Sequence, residues 1–243
     1  MSLLLTRGDR SYLVSPGERL ETDLGVIEVP PDAEAPATLE SHLGERFALV
    51  RPRSTDLFDH LERAGAPMIP RDVGVLVGLT GLGAGDRVLD VGAGSAVLAV
   101  TLGRLGVAVT TYERDAETAA TAVRNVERAG VSSHVTVVAG DATAADLDGG
   151  YDGLTLDTGD APELAERAAD VLAPGGVLAA YAPFVERARA VAEAAGAAGL
   201  EAVETHETIH RTMDFDRRGS RPSTAPVGHT GYLTVGRHLP RED

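Results

Sequence analysis

The apolar positions change rhythm near residue 86. Before it, short runs such as Ser11–Val14, Val26–Val29 and Phe47–Val50 alternate with Gly, Pro and Asp. From about Leu3 to Val50 this pattern predicts small β-strands in a compact appendage. Pro30, Pro31 and Pro36 mark a loop, and Arg51-Pro52-Arg53 marks the exit from the β region. From Asp86 onward, apolar runs alternate with Ala-rich stretches of helical spacing, which is the signature of a parallel sheet with helical crossovers. Strands are predicted over 87–91, 107–112, 134–138, 153–156 and 177–181, with later ones over 201–209 and 230–236. Helices fit 96–105, 115–129, 161–172 and 185–199, the third stopped by a turn at Pro174-Gly175-Gly176. The expected architecture is α/β, with a small β domain over 1–55, a helical linker over 56–85 and a sheet domain with helices on both faces over 86–243.

Composition sharpens this picture. The 243 residues are 43 % hydrophobic, enough for a globular core, and only 4 % aromatic, so Val, Ala and Leu must fill it. The chain has no Cys, which removes disulfides, thiolate nucleophiles and Cys-based zinc sites, and fits a reducing cytoplasm. No run approaches the length of a membrane span, and Met1–Leu5 is too short for a signal peptide. Arg plus Lys number 22 against 37 Asp plus Glu, a net charge of −15, and every basic residue but His is Arg. Such a surface reads as haloadapted, because carboxylates stay hydrated in concentrated salt while their repulsion is screened; a GC-rich genome is the competing account of the missing Lys. A basic nucleic-acid module is not the first reading.

The sharpest chemical signal is Val88-Leu89-Asp90-Val91-Gly92-Ala93-Gly94-Ser95, a buried strand running into a Gly-rich turn that opens a helix. Such a turn lets backbone approach a nucleotide-like ligand. Twenty-one positions after Gly92, at the next strand end, Glu113 is placed to hold ribose hydroxyls. Asp90, immediately before the glycines, gains nothing from a pyrophosphate but suits an ammonium group, as on the methionine end of S-adenosylmethionine. Asp141, at the following strand end, is placed to accept from an adenine amino group. Asp157 closes the fourth strand at the same carboxyl edge, as a substrate-contacting acid or as a helix N-cap. Tyr181 ends the fifth strand, either flanking a base or packing as a half-buried core residue. Arg217, Arg218 and Arg221 form the densest basic cluster, read as phosphate contacts or as a solvated loop. His229 has no neighbouring ligand pattern for zinc.

These residues resemble the tRNA (adenine(58)-N(1))-methyltransferases of archaea and bacteria, nearly end to end. Thr22–Ile27, Ser41–Glu45, Phe47 and Arg51–Arg53 look like that family's N-terminal domain, and Ile69-Pro70-Arg71-Asp72 resembles its aromatic-Pro-Lys-Asp signature. Asp90–Leu98 is similar to its cofactor loop, Leu156-Asp157 to its catalytic strand end, and Arg221-Pro222 with His229-Thr230-Gly231-Tyr232 to its C-terminal signature. Four departures stand out, one being Arg71 where Lys is usual. Ile69 occupies the aromatic position, Asp157-Thr158-Gly159-Asp160 lacks the proline-rich turn, and Ala96 replaces a third glycine, which a methyl group fits if φ there is helical. The resemblance implies a Rossmann-like class I methyltransferase fold and a homotetramer acting on N1 of adenine in the tRNA T-loop. S-adenosylmethionine is the implied cofactor, held by Asp90, Gly92, Gly94, Ser95, Leu98, Glu113, Asp141 and Asp157. Asp157 and Tyr181 would serve catalysis, and Arg217, Arg218, Arg221, His229 and Tyr232 would contact tRNA. No metal is expected. A small-molecule methyltransferase, a non-catalytic RNA-binding subunit and a nicotinamide oxidoreductase are the competing readings.

Overall fold

The computed structural model describes residues 2–226 and 228–240. At the N-terminus, β1 (Leu3–Arg7), β2 (Arg10–Val14), β3 (Arg19–Thr22), β4 (Gly25–Glu28), β5 (Ala37–Glu40) and β6 (Arg46–Val50) form two antiparallel groups. One is a four-stranded sheet in the order β2-β1-β6-β5, the other the hairpin β3-β4. Leu3, Leu5, Val14, Ile27, Val29, Phe47 and Leu49 are buried together, the inward half of an alternating pattern. The short strands β3 and β5 escape sequence reading because each has four residues, none of them buried, and only one large apolar side chain, Leu20 and Leu39.

Then come α1 (Ser54–His60), α2 (Pro70–Thr80), β7 (Arg87–Val91), α3 (Val97–Arg104), β8 (Ala108–Glu113), α4 (Ala116–Ala129) and β9 (Val135–Ala139). The remainder is β10 (Tyr151–Leu156), α5 (Ala161–Glu166), α6 (Ala168–Val171), β11 (Leu172–Ala182), α7 (Val185–Ala197), β12 (Glu201–Glu207), β13 (Met213–Asp216), β14 (Gly219–Pro222) and β15 (Tyr232–Arg237). Seven strands form one mixed sheet in the order β12-β15-β11-β10-β7-β8-β9, while β13 and β14 form a separate ribbon. Pairs β10–β11, β10–β7 and β8–β9 are parallel, and β15 runs antiparallel to both neighbours. This is the expected α/β class.

Two expectations are corrected in detail, and one element is added. The helix expected over 161–172 is two pieces broken at Arg167, whose guanidinium bonds the carbonyls of Ala142, Thr143 and Ala145. Pro174-Gly175-Gly176 falls within β11 rather than between elements, at an irregularity where Gly175 takes φ +89° and the register against β10 slips between Tyr151 and Gly153. The β13–β14 ribbon was not foreseen.

The chain divides into two compact units: residues 1–73, 83–85 and 93–141, and residues 74–82, 86–92 and 142–243. In the first, α4 shows how sequence sets local structure. The Asp115 carboxylate accepts the Thr118 N–H at 2.8 Å to start the helix, and Gly130 ends it at φ +71°. Ala119, Ala122, Asn125, Val126 and Ala129 form its buried stripe. No helix among the described residues is long and apolar enough to cross a membrane.

Candidate active site

In the second unit, the ends of β7 and β10 bring two carboxylates together. Parallel pairing sets Asp90 opposite Thr155 and Val91 opposite Leu156, and the Asp157 N–H then donates to the Val91 carbonyl at 2.9 Å. Asp90 is 2 % exposed, and the fully buried Thr155 hydroxyl donates to its Oδ1 at 2.6 Å. Burial, and secondarily the negative charge of Asp90, push the Asp157 carboxyl up to about 7. Asp157 does not cap α5, whose N-cap position is Asp160, so the capping alternative falls away. Gly92 is required by close approach: at φ +99°, a Cβ there would lie 2.2 Å from the Asp157 carbonyl oxygen. Thr155 was missed because its partner is 65 positions away in sequence.

In the first unit, the loop from Ala93 onward is fixed by protein groups. Glu113 accepts the N–H of Gly94 at 3.0 Å on one carboxylate oxygen and that of Asp115 at 3.1 Å on the other, which leaves lone pairs on both for a ligand. Ser95 is buried, and its hydroxyl is engaged by Ala64, whose N–H donates to it at 2.7 Å and whose carbonyl accepts from it at 3.1 Å. The hydroxyl thus ties the loop to the stretch that follows α1. Ala96 sits at φ +57°, left-handed rather than the helical value under which a methyl group would fit at no cost. Leu98 is buried on α3. Asp141 is exposed beyond β9, and a Cβ on the neighbouring Gly140 would meet open space.

The C-terminal candidates, all in the second unit, lie apart in character. Tyr181 is half-buried, its ring packed where a Cβ on Gly231 would come within 2.5 Å, so the glycine after Thr230 makes room for an aromatic ring. His229 places Nδ1 2.9 Å from Glu207 and Nε2 3.0 Å from the Pro183 carbonyl, and its ring is 4.9 Å from that of Tyr232. Arg217, Arg218 and Arg221 lie on the exposed β13–β14 ribbon; Arg218 is paired with Asp216 at 2.8 Å. Among the described residues no cluster of His, Asp and Glu is arranged to hold a metal ion.

The profile of the family described as tRNA methyltransferase complex GCD14 subunit matches residues 68–220. The chain belongs to this family. It is 29 % identical, over 96 % of its length and 93 % of the relative's, to the tRNA (adenine(57)-N(1)/adenine(58)-N(1))-methyltransferase TrmI of Methanocaldococcus jannaschii. It is 31 % identical to the tRNA (adenine(58)-N(1))-methyltransferase TrmI of Thermus thermophilus, over 96 % of the chain and 94 % of the relative. Among solved structures, a SAM-dependent O-methyltransferase from Thermotoga maritima matches with TM-score 0.83 and 22 % identity, covering 100 % of the chain and 94 % of the other. The tRNA (m1A58) methyltransferase TrmI of Aquifex aeolicus matches with TM-score 0.76 and 22 % identity, covering 99 % and 98 %. At that identity the two structures speak for the fold alone, and the fold they share with this GCD14 family member is the α/β arrangement described above. Membership of this methyltransferase family implies S-adenosylmethionine as methyl donor.

Proposed function

We propose that the chain methylates N1 of adenine 58 in the T-loop of tRNA, with the neighbouring adenine 57 as a second acceptor. The observation that carries this reading is the match, over 96 % of the chain, to relatives named for that reaction. The residues present fit the cofactor by the chemistry of their donors and acceptors: a cationic ligand suits the Asp90–Asp157 carboxylates, and diol and amino groups suit Glu113 and Asp141. When bound, S-adenosylmethionine supplies an electrophilic methyl group.

Asp90, oriented by the Thr155 hydroxyl, takes the ligand ammonium. Glu113 takes the ribose hydroxyls, Asp141 the cofactor adenine, and Gly92, Gly94 and Leu98 shape the floor; Ser95 contributes through its backbone. Asp157 accepts from the exocyclic amino group of the target adenine, orienting N1 and easing the positive charge that develops on the base. N1 is shielded in folded tRNA, so the base must be splayed out to reach this acid. Tyr181 flanks it. Arg217, Arg218, Arg221, His229 and Tyr232 serve the RNA, with His229 tying Glu207 to Pro183 rather than touching phosphate.

We further infer a homotetramer in the cytoplasm with a haloadapted surface. Ile209 (70 % exposed), between β12 and β13, and Phe215 (77 %), on β13, leave apolar area for a neighbouring subunit to cover, and the charge of −15 supports the salt adaptation. Light scattering in molar KCl tests the first. The function itself is tested by mass spectrometry of nucleosides from an unmodified tRNA transcript incubated with protein and S-adenosylmethionine: N1-methyladenosine is the expected product, and its absence with cofactor bound would leave the RNA-binding-subunit reading.

A further inference from the structure

Asn125 occupies the buried stripe of α4 beside Ala119, Thr121, Ala122, Val126 and Ala129, and it is 0 % exposed. A fully buried amide there must be satisfied, and each of its polar atoms is. Its Oδ1 accepts the Glu62 N–H at 2.9 Å; its Nδ2 donates to the Glu62 carbonyl at 2.9 Å and to the Ser95 carbonyl at 2.9 Å. One side chain thus joins the linker segment at Glu62 to the Gly-rich loop at Ser95. A second, independent tie is the Ser95 hydroxyl, which bonds both the N–H and the carbonyl of Ala64. On the outer face, Arg124 forks onto the Glu62 carboxylate at 2.7 and 3.1 Å. Gly94 lies directly under this strap: a Cβ on it would stand 3.6 Å from the Ala64 carbonyl oxygen.

We propose that Asn125 is a positioning residue that locks the strap Leu61–Gly65 onto the loop Ala93–Ser95 and so presets that loop for S-adenosylmethionine. The argument is one of preorganisation. Gly94 takes a left-handed conformation at φ +50°, and glycine has the greatest freedom to leave it. With Gly94 N–H held by Glu113, the Ser95 carbonyl by Asn125 and the Ser95 hydroxyl by Ala64, the loop has been fixed before the ligand arrives. Removing the Asn125 donor leaves the Ser95 and Glu62 carbonyls without that partner, and the ordering cost shifts to the binding step.

This inference rests on cofactor binding alone, so its failure is separable from failure of the tRNA reading. The full-length chain is compared with Asn125→Asp, which keeps the shape but cannot donate from either oxygen when ionised, and with Ser95→Ala, which cuts the second tie. Two readouts are taken on samples that retain a cooperative thermal transition. The first is calorimetric titration with S-adenosylmethionine, and the second is trypsin cleavage after the exposed Arg63, followed by mass spectrometry of the 1–63 fragment. The expected result is roughly tenfold weaker binding in each variant, faster cleavage at Arg63, and slowing of that cleavage by S-adenosylmethionine in the parent. In methylation assays KM for S-adenosylmethionine rises about tenfold for Asn125→Asp while kcat falls less than threefold. Unchanged affinity despite faster cleavage overturns the proposal, since the strap would then be mobile without consequence for the loop. Should Asn125→Asp not fold, Ser95→Ala decides by the same two readouts.

Discussion

Asp157 titrates where a cell lives, and this gives it two consequences of opposite sign. The folded chain holds its proton up to about pH 7, whereas the ordinary value is 3.8, so folding takes up a proton between those limits and this contribution to stability falls as pH rises from about 4 to about 7. In the proposed role the ionised form is the stronger acceptor for an adenine amino group and the one that offsets charge developing on the base, so turnover should rise with its ionisation around pH 7. Asp157→Asn should therefore melt higher than the parent at pH 8, with the difference shrinking toward pH 5. It should also lose the rise in rate near pH 7 and fall about 10²-fold in kcat. Melting curves at the two pH values with initial rates on the same samples check both; a variant with parental turnover would remove Asp157 from catalysis. Two backbone positions nearby make contrasting cases. Gly92→Ala drives a Cβ into the Asp157 carbonyl at a left-handed φ, and a loss of about 3 kcal/mol with loss of cofactor binding is expected. Ala96→Gly relieves a left-handed alanine worth about 1–2 kcal/mol, less about 0.5–1 kcal/mol for the freer unfolded chain, so the urea midpoint should rise slightly. The sequence exposed Asp90, Glu113 and Asp157 because an acid at a strand end is a one-dimensional signal. It carries no signal for the Ser95 hydroxyl bonds to Ala64 or for Asn125 and Thr155, whose partners lie 30 to 65 positions away.

Elements were legible in proportion to how much of them is buried. Strand β7 falls on the expected residues, and β8 and β9 are displaced by one, because each alternates or runs apolar into a buried sheet. The β13–β14 ribbon, whose β14 is exposed throughout, carries no such rhythm, and its signal was charge rather than pattern. Folding that segment into a ribbon also separates three arginines that looked alike. Arg218 is held by Asp216, which satisfies its guanidinium within the hairpin and lowers the carboxyl of Asp216 below its usual range. Arg217 and Arg221 are the better candidates for RNA phosphate. Replacing either by Ser should raise KM for tRNA five- to tenfold, Arg218→Ser should raise it less, and none should alter S-adenosylmethionine affinity. Filter binding of transcript alongside calorimetry of the cofactor separates the outcomes, and equal effects from all three would make the ribbon a uniform patch.

At the scale of the whole molecule, a chain at −15 is assigned a polyanionic substrate. Several arginines are neutralised locally, as in Arg7–Glu45, Arg10–Asp23, Arg71–Asp72 and Arg124–Glu62, so they add little long-range attraction. At low ionic strength the remaining carboxylates repel both one another and RNA, the first opposing folding and the second opposing docking. In molar salt the Debye length is about 3 Å, both repulsions are screened, and only contacts at hydrogen-bonding distance, such as those offered by Arg217 and Arg221, act on the RNA. Ordinary RNA binders weaken as salt rises because bound counterions are released. Here two opposing trends meet: loss of counterion release lowers affinity by the few phosphates contacted, while relief of repulsion raises both the folded fraction and the encounter rate. With few contacts and a large net charge, relief wins. Methylation rate should therefore climb with KCl over the range in which circular dichroism reports recovery of the fold, then stay flat or decline gently. Initial rates and dichroism on the same samples decide the matter: an optimum near ~0.1 M with the fold intact, followed by steep loss, would mean that long-range attraction drives docking and that the acidic surface is no adaptation to salt.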